Sequence, residues 1–461
     1  MRLSILDLAP IARGQNPGES FAASVALAQR AEELGYERVW YAEHHNMPNI
    51  ASSATSVLIA HVGAHTSSIR LGSGGIMLPN HSPLVIAEQF GTLAAMYPGR
   101  IDLGLGRAPG SDQNTQYALR RDPRSAENFP QDVVELQAYL AGTSRVPGVD
   151  AVPGKGSNVP LYMLGSSLFG ARLAAALGLP YAFASHFAPG ALDAALEAYR
   201  SEFKPSDQLD QPYAIAGVNV FAADSAAAAR EQLQASRRAR AANLFARQVG
   251  IAPADITDEQ ADQLLAQGAA VHVDEMLTFS AVGTPGEVRA YLDEFAGRTK
   301  ADELITVHQA PGIDARLRSV TLLAEAVRPP VLPGRVTGPA YPAIRLRRIL
   351  LLVSATGSRD FQGTHAAARR RAYDSWHVRR GGRAGRGALF ADRTGRAGRH
   401  RAGMACPGRD PRPGGGAEGD RPAAPAGRGT CRAGRARDER GPVRGPARPS
   451  RCDPRLRRGG A

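Results

Sequence analysis

The chain has 461 residues, and its formal net charge of +13 is divided unevenly along its length. Residues 1–330 contain 26 basic and 34 acidic side chains, a net charge of −8, whereas residues 331–461 contain 30 and 9, a net charge of +21. A basic protein ordinarily suggests nucleic acid or an acidic membrane as its partner. Because the first 330 residues are mildly acidic, we expect no nucleic-acid partner for them.

The positions of the cysteines and the lengths of the apolar runs indicate in which cellular compartment the protein is expected. The three cysteines (Cys406, Cys431 and Cys452) all lie in the basic part, so residues 1–330 have no disulfide framework and no thiolate metal site. The N-terminal apolar run is interrupted by Asp7, unlike a secretory signal peptide. The apolar stretch at residues 349–353 is far shorter than the roughly 20 residues that cross a bilayer. We therefore expect a cytoplasmic protein without membrane association.

Short apolar runs alternate with helical patterns from the N-terminus, which is typical of a parallel sheet built from βαβ units. Gly35 is a suitable terminator for the first helix, and Ser52 or Ser53 can cap the second. In chain order the sequence predicts strand 3–8, helix 19–34, strand 38–42, a helix running to about residue 65, strand 69–77, helix 82–97 and strand 101–105.

The alternation breaks after the fourth strand and then resumes. Residues 107–129 are polar and turn-rich, residues 143–158 are rich in glycine and proline, and loops this long are usually functional. Further strands are predicted at 161–164, 181–185, 214–221 and 303–307, with helices at 167–177, 192–203, 226–248, 285–295 and 314–327. Eight strands with intervening helices predict a (β/α)8 TIM barrel with insertions over residues 1–330. The alternative is an open doubly wound sheet, for which the pattern locates no switch point.

The C-terminal part, residues 331–461, is dominated by Arg, Gly, Ala and Pro and contains no lysine. Such a composition cannot bury enough apolar surface to offset the entropy of ordering the chain. One interpretation is an arginine-rich arm that binds nucleic acid. We favour a disordered tail without chemistry, and a sharper form of this interpretation is that a GC-rich coding sequence is read out of frame after the barrel ends.

Reactive side chains cluster where the second predicted strand ends, the position at which parallel barrels carry their active sites. Glu43, His44 and His45 suit a general base with its orienting carboxylate. Two adjacent strand residues point to opposite faces, so His44 and His45 are poorly placed to hold one metal ion. A hydrogen-bonded structural histidine is the plain alternative.

Glycines mark the end of the third strand. Gly74 and Gly75 are predicted to let a flat ligand lie close to the backbone, and they tolerate unusual geometry such as a cis peptide. A tight turn into the next helix would explain the nearby prolines but not this cluster of glycines.

Residues suited to binding a phosphate follow the fourth and fifth strands. The Arg107 guanidinium can bind a phosphate through two hydrogen bonds. Gly165, Ser166 and Ser167 lie where a strand turns into a helix, whose first N–H groups favour an anion. A simple serine N-cap explains this turn equally well by itself. Together with Arg107, the phosphate interpretation is the better one.

These segments resemble the bacterial-luciferase-like, flavin-dependent monooxygenases over residues 1–330. The resemblance is carried by residues 42–48 (Ala-Glu-His-His-Asn-Met-Pro), residues 74–89 and residues 98–107 (Pro-Gly-Arg-Ile-Asp-Leu-Gly-Leu-Gly-Arg). It implies a barrel that receives reduced FMN from a separate flavin reductase. Oxygen then adds to the flavin, and the C4a-peroxyflavin so formed oxygenates a small organic substrate.

The resemblance also implies roles for individual residues. His44 matches the acid/base near the reactive flavin, and the Gly74–Gly75 peptide matches a non-proline cis bond against the flavin ring. The phosphate-binding positions match Arg107, Ser166 and Ser167, with Gly165 allowing close approach. No metal is implied. Family members are often dimeric, and the helices after the second and third strands are candidates for such an interface.

One departure from the family pattern narrows the expected reaction. The luciferases proper carry a reactive cysteine where this sequence has Gly106, so light emission with long-chain aldehydes is not expected. Three alternatives stay open at this point. They are a deazaflavin-dependent oxidoreductase on the same barrel, a flavin-binding protein without turnover, and a metal hydrolase.

Overall fold

The computed structural model describes residues 1–108 and 112–327. The predicted tail, residues 331–461, lies outside the described residues. Within the described part, no helix is long and apolar enough to cross a membrane.

Eight parallel strands close into a barrel, which confirms the predicted fold. In chain order the strands are β1 (Arg2–Asp7), β2 (Arg38–Tyr41), β3 (Arg70–Met77), β4 (Ile101–Gly106), β5 (Leu161–Gly165), β6 (Tyr181–Phe183), β7 (Ala214–Ala222), β8 (Ser280–Gly283) and β9 (Glu303–His308). The ring runs from β1 through β7 in sequence order, and β9 then pairs with both β7 and β1.

One further strand, β8, was not predicted, and it lies outside the ring of eight strands. One edge of β7 pairs with β6 along residues 214–216 and with β8 along residues 219–222, while β9 occupies the other edge. β6 has only three residues, so the last four residues of β7 are free to accept a further strand.

Helices cover the outside of the barrel. They are α1 (Pro17–Glu33), α2 (Thr55–Gly63), α3 (Pro83–Met96), α4 (Gln113–Ala118), α5 (Phe129–Ala141), α6 (Leu168–Leu177), α7 (Leu192–Ser201), α8 (Ala226–Val249), α9 (Asp258–Leu264), α10 (Ala270–Met276), α11 (Pro285–Thr299) and α12 (Ile313–Val327). The eight predicted helices are all present. The segment predicted as a loop, residues 107–129, instead contains α4 and a 3-10 turn at Pro123–Glu127, and α5, α9 and α10 were not predicted.

Local capping explains where the first two helices begin and end. Asn16 and Glu19 form a capping box at the start of α1, and Gly35 follows its end with a φ of +64°, the left-handed conformation that glycine tolerates. The predicted serine cap of α2 is wrong, because Ala54 occupies the N-cap. The Ser52 hydroxyl donates to the Leu8 carbonyl oxygen (3.1 Å) instead.

Buried charges close the N-terminal end of the barrel. Arg38, at the start of β2, donates from Nε and Nη2 to the Glu303 carboxylate (2.9 and 3.0 Å) and from Nη1 to Asp102 and the Tyr162 hydroxyl (both 2.8 Å). All four side chains are buried. Because these groups satisfy one another, this end of the barrel is sealed, and the C-terminal ends of the strands are left for a ligand.

Candidate active site

Glu43, which follows β2, is the centre of a hydrogen-bonded cluster at the C-terminal end of the barrel. Its side chain is only 1% exposed. The carboxylate accepts hydrogen bonds from Nε2 of His45 (2.9 Å), Nε2 of His81 (2.9 Å), the backbone N–H of Met77 (3.0 Å) and Nδ2 of Asn80 (3.3 Å). Glu43 therefore ties the end of β2 to the 3-10 turn that follows β3.

Two opposing effects set the charge of Glu43. Burial by itself would raise the pKa of this carboxyl, but the hydrogen bonds from His45 and His81 outweigh burial and lower the pKa to about 2. Glu43 is therefore ionised at neutral pH and in mildly acid solution.

His44 turns away from this cluster. Its Nδ1 is buried and has no hydrogen-bond partner in the part of the chain that the structure describes. Burial lowers the pKa of His44, so the ring is neutral near pH 7. The expectation that a carboxylate would orient a neighbouring histidine is met at His45 and at His81, which was not predicted as a site residue. No carboxylate of the described residues forms a hydrogen bond with His44, and the acid/base role implied for this residue stays a prediction.

His186, which follows β6, is a second buried histidine with a free nitrogen, and sequence reasoning missed it. Its side chain is 7% exposed, and its Nδ1 has no partner among the described residues. Burial, together with the positive charges of Arg240 and His44, lowers the pKa of His186 to about 3. The rule that found His44 would have found this residue, because it too lies just beyond the C-terminal end of a barrel strand.

The peptide bond between Gly74 and Gly75 is cis, at the position that the family resemblance implies. Packing alone explains why both residues are glycine. A Cβ on Gly75 would lie 2.8 Å from the Gly104 carbonyl oxygen, and a Cβ on Gly74 would lie 2.7 Å from Cδ1 of Leu6 and 2.9 Å from Cβ of Trp40. A flavin-binding role for these two glycines stays a prediction.

Arg107 lies exposed after β4, and an aromatic ring holds its side chain. Cζ of the guanidinium lies 4.1 Å from the centre of the Phe169 ring, a stacked cation–π arrangement. Arg107 forms no ion pair with a carboxylate of residues 1–108 or 112–327. Phe169 is the second residue of α6, so the contact brings the arginine to the N-terminus of that helix.

The turn from β5 into α6 is open. Ser167 is the N-cap of α6, yet its hydroxyl makes no capping hydrogen bond, so the first N–H groups of the helix are left for another acceptor. A Cβ on Gly165 would meet no atom closer than 3.8 Å, and the turn has room beside it. The structure therefore brings Gly165, Ser166 and Ser167 together with Arg107, in an arrangement that suits a phosphate.

The predicted residues share one end of the barrel. Those after β2, β3, β4 and β5 all lie at the C-terminal ends of parallel strands, which meet at one rim. Among the residues that the structure describes, no three His, Cys, Asp or Glu side chains form a group that could hold a metal ion.

Sequence comparison identifies similar proteins across most of the described chain. A family model described as luciferase-like monooxygenase matches residues 1–301. A luciferase-like monooxygenase of Escherichia coli strain K12 is 51% identical over 320 residues, which cover 69% of this chain and 95% of that protein. An N-acetyl-S-alkylcysteine monooxygenase of Bacillus subtilis strain 168 is 33% identical over 343 residues, covering 71% of this chain and 98% of its own.

Solved structures with the same fold differ in how similar their sequences are to this chain. The apo form of MsnO8 matches with a TM-score of 0.61 and 36% identity, covering 70% of this chain and 98% of its own. An FMN complex of a Pseudomonas putida Baeyer-Villiger monooxygenase and an F420-dependent alcohol dehydrogenase both match with TM-scores of 0.52, at 17% and 16% identity. They cover 97% and 99% of their own chains and 71% of this one, and at this identity they share the fold alone.

Proposed function

Because the chain belongs to the luciferase-like monooxygenase family, we propose that it binds reduced FMN at the C-terminal rim of its barrel and oxygenates a small organic substrate with O2. The observation that carries the proposal is the stacking of Arg107 on Phe169 beside the open N-terminus of α6. An unpaired guanidinium and free backbone N–H groups suit a phosphate, which FMN carries and most small substrates lack.

Each predicted site residue has a role in this proposal. Arg107, Ser166 and Ser167 hold the phosphate, and the lack of a side chain at Gly165 lets it approach the backbone. The Gly74–Gly75 peptide would form part of the flavin site. When bound, reduced FMN would supply the electrons that activate oxygen.

His44 holds or moves a proton in this scheme. Its Nδ1 has no hydrogen-bond partner among the described residues, and burial lowers its pKa, so the imidazole is neutral. A neutral imidazole can accept a proton from the substrate. Glu43 forms no hydrogen bond with His44, because its hydrogen bonds go to His45 and His81, but its negative charge acts on the His44 ring and partly offsets the effect of burial on the pKa.

The proposal extends to partners and location. A separate reductase delivers the reduced flavin, and the protein works in the cytoplasm. A homodimer through α2 and α3 is supported by exposed apolar side chains at Val57, Val85 and Met96 on these helices. Sedimentation equilibrium tests the dimer, and the substitution Val57→Lys is expected to shift the protein toward the monomer.

Rapid mixing tests the central claim. The protein, loaded anaerobically with photoreduced FMN, is mixed with oxygenated buffer, and the flavin absorbance is followed. We expect a long-lived C4a-peroxyflavin whose decay is accelerated by a good substrate. Immediate reoxidation, with no measurable binding of FMN and with binding of a reduced deazaflavin in a parallel titration, would replace this proposal with the deazaflavin alternative.

A first test substrate comes from the relatives. The B. subtilis protein that is 33% identical is named for N-acetyl-S-alkylcysteines. We therefore propose N-acetyl-S-methylcysteine as one compound to add in the mixing experiment, with faster decay of the oxygenated flavin as the signal of turnover.

A further inference from the structure

Phe187, which lies just beyond β6, is a large apolar side chain that is 45% exposed. Its ring packs edge-to-face against His186, with the ring centres 5.0 Å apart and the planes at 75°. Within the part of the chain that the structure describes, Phe187 makes no other ring contact and no cation–π contact. Single exposed apolar side chains are common on protein surfaces, so the position of this ring relative to the barrel decides what it can bind.

The strand β7 has one face that points into the barrel. Ile215 packs in one apolar cluster with Leu6 of β1 and Tyr162 of β5, which only the interior of a closed barrel brings together. Because side chains alternate along a strand, Gly217 and Asn219 lie on the same inward face as Ile215. The C-terminal half of this face therefore lines the mouth of the barrel.

The His186 ring packs on this inward face and carries Phe187 with it. A Cβ on Gly217 would lie 2.5 Å from Nδ1 of His186, so the lack of a side chain at Gly217 makes room for the imidazole. Phe187 packs on the other side of His186, which is only 7% exposed. The exposed phenyl ring therefore lies at the barrel mouth.

Hydrogen bonds to β7 hold the loop that carries Phe187. The Ser185 hydroxyl donates to the carbonyl oxygen of Gly217 (2.5 Å), and Nδ2 of Asn219 donates to the carbonyl oxygen of His186 (2.8 Å). A ring on a loop that is already fixed loses little conformational freedom when a ligand packs against it. The loop therefore presents Phe187 as a preorganised surface.

The polar side chains on this side of the mouth bind one another. Oδ1 of Asn219 accepts from Nε2 of Gln309 (3.0 Å), and Oε1 of Gln309 accepts from the Ser236 hydroxyl (3.0 Å). Asn219 is fully buried, and Nδ1 of His186 is covered where the ring meets Gly217. Because these groups are covered or already hydrogen-bonded, this side of the mouth offers a ligand an apolar surface.

Apolar side chains continue from the mouth into the barrel. Leu8, which follows β1, and Leu164, near the end of β5, are only partly buried and pack against the interior cluster that contains Ile215. An apolar group placed beside Phe187 would leave water and gain binding free energy in proportion to the area it buries. The surroundings of Phe187 thus suit an apolar ligand group.

The flavin is not the favoured partner of Phe187. The residues proposed to bind flavin follow β3, β4 and β5, whereas Phe187 follows β6 and its loop is bound to β7. In the ring, β6 and β7 continue away from β3. The β6–β7 side of the mouth is therefore left for the second ligand.

We infer that Phe187 packs against an apolar group of the organic substrate, above all an aromatic ring, and so selects substrates that carry one. The inference rests on the proposed function, since it names the substrate class of the same site. It makes Phe187 a residue that determines specificity, separate from the residues that hold the flavin.

Calorimetric titration of the full chain, with and without FMN, tests the inference with matched pairs of compounds. Benzyl methyl sulfide is compared with dimethyl sulfide, and benzylacetone with butanone, so that a hydrogen atom replaces the phenyl group in each pair. We expect at least one phenyl compound to bind about 100-fold more tightly than its counterpart, because the phenyl group leaves water. Phe187→Ala should reduce this ratio about tenfold, and Phe187→Leu should reduce it less.

An aromatic residue elsewhere provides the matched control. Tyr117, on α4, is 85% exposed, so Tyr117→Ala should leave the ratio unchanged. The affinity for FMN should be the same in all four proteins, and FMN should not displace the phenyl compound. The melting temperature of each variant is measured alongside, and Phe187→Leu keeps the test valid if Phe187→Ala fails to fold.

Several results would overturn the inference. They are the absence of any preferred phenyl compound, an unchanged ratio in Phe187→Ala or Phe187→Leu, an equal reduction in Tyr117→Ala, or a loss of FMN affinity as large as the loss of affinity for the phenyl compound. The last result would assign Phe187 to the flavin. Failure of the proposed function would be seen separately, as wild-type protein that forms no oxygenated flavin in the mixing experiment.

Discussion

Neighbouring side chains at the end of β2 have different electrostatic roles. Glu43 is saturated with hydrogen bonds and keeps its charge, whereas the next residue, His44, is buried with a nitrogen that has no hydrogen-bond partner in the described chain. A buried group with all its hydrogen bonds stabilises the loops around it, whereas a buried polar atom without one costs desolvation free energy. The structure thus separates a hydrogen-bonded carboxylate from an unpartnered imidazole at two adjacent residues.

Replacing His44 tests this separation. His44→Ala should lower the rate of substrate oxygenation by about 10²–10⁴-fold, the usual contribution of a general acid or base, and leave the affinity for reduced FMN nearly unchanged. Single-turnover kinetics and an anaerobic flavin titration measure the two quantities. His272→Ala, an exposed histidine on α10, serves as the control. A variant that keeps the wild-type rate would make His44 structural.

The pH dependence of the same step follows from burial. Because burial lowers the pKa of His44 below the ordinary value of 6.5, the midpoint of its protonation lies below pH 6.5. The rate of single turnover should therefore decline with a midpoint below pH 6.5, and His44→Ala should lose this decline. A rate that halves near pH 6.5 would contradict the assignment.

Removing the guanidinium at position 107 tests the phosphate site. Arg107→Met should weaken FMN binding by about tenfold or more, the usual value of a charge-assisted contact, and leave the affinity for riboflavin, which has no phosphate, unchanged. Fluorescence titration with both flavins measures the difference. Arg124→Met removes a charge from an exposed arginine nearby in the sequence and should change neither affinity. Equal losses for both flavins would show a general distortion of the rim.

At the scale of elements, the Glu43 cluster joins two loops of the rim. It links the end of β2 to the turn after β3 through His81 and the backbone of Met77. The lowered pKa of Glu43 means that the ionised form stabilises the folded state. This contribution is complete above an ordinary glutamate pKa of about 4.5 and is lost as the pH falls toward 2.

Glu43→Gln should remove that contribution. A shift of the pKa from 4.5 to about 2 corresponds to roughly 3 kcal/mol in the free energy of unfolding, which should be missing from the variant at pH 7. Denaturant titrations between pH 7 and pH 2 should show the difference shrinking as the pH is lowered. Glu127→Gln, at an exposed position, is the control. If the free energies of unfolding of the wild type and of Glu43→Gln fall in parallel as the pH is lowered, this role is excluded.

The elements that sequence patterns located, and those they missed, differ in length and composition. The eight ring strands were predictable because strands buried on both faces are apolar runs bounded by turns. The four residues of β8 are too short to distinguish from a loop. α5 carried a readable signal, since Phe129, Val133 and Leu136 are buried at helical spacing, but the polar segment before it dominated the prediction.

The candidate site was predictable in position and not in its contacts. The barrel rule indicates which strand ends carry chemistry, so His44, Arg107 and the turn at Gly165 could be proposed from sequence. Contacts such as Glu43 with His81, 38 residues apart, depend on loop paths that local patterns do not contain.

At the scale of the whole molecule, the described barrel matches relatives over nearly their full length. The E. coli relative is covered to 95% by a match of 320 residues. A chain truncated after residue 330 should therefore keep the melting temperature, FMN affinity and oxygenation rate of the full chain. Differential scanning calorimetry and the mixing experiment compare the two forms. Aggregation or loss of activity on truncation would give the C-terminal residues 331–461 a function.

The pairing of β8 with β7 also sets one stretch of the chain apart from the ring of strands. The segment that carries α8, α9 and α10 leaves β7 and returns beside the last four residues of that same strand. Ring closure depends on the pairs β6–β7 and β7–β9, neither of which includes this segment. Because residues 226–276 take no part in those strand pairs, they give laboratory selection for a new substrate one continuous stretch to diversify while the pairs of the ring stay constant.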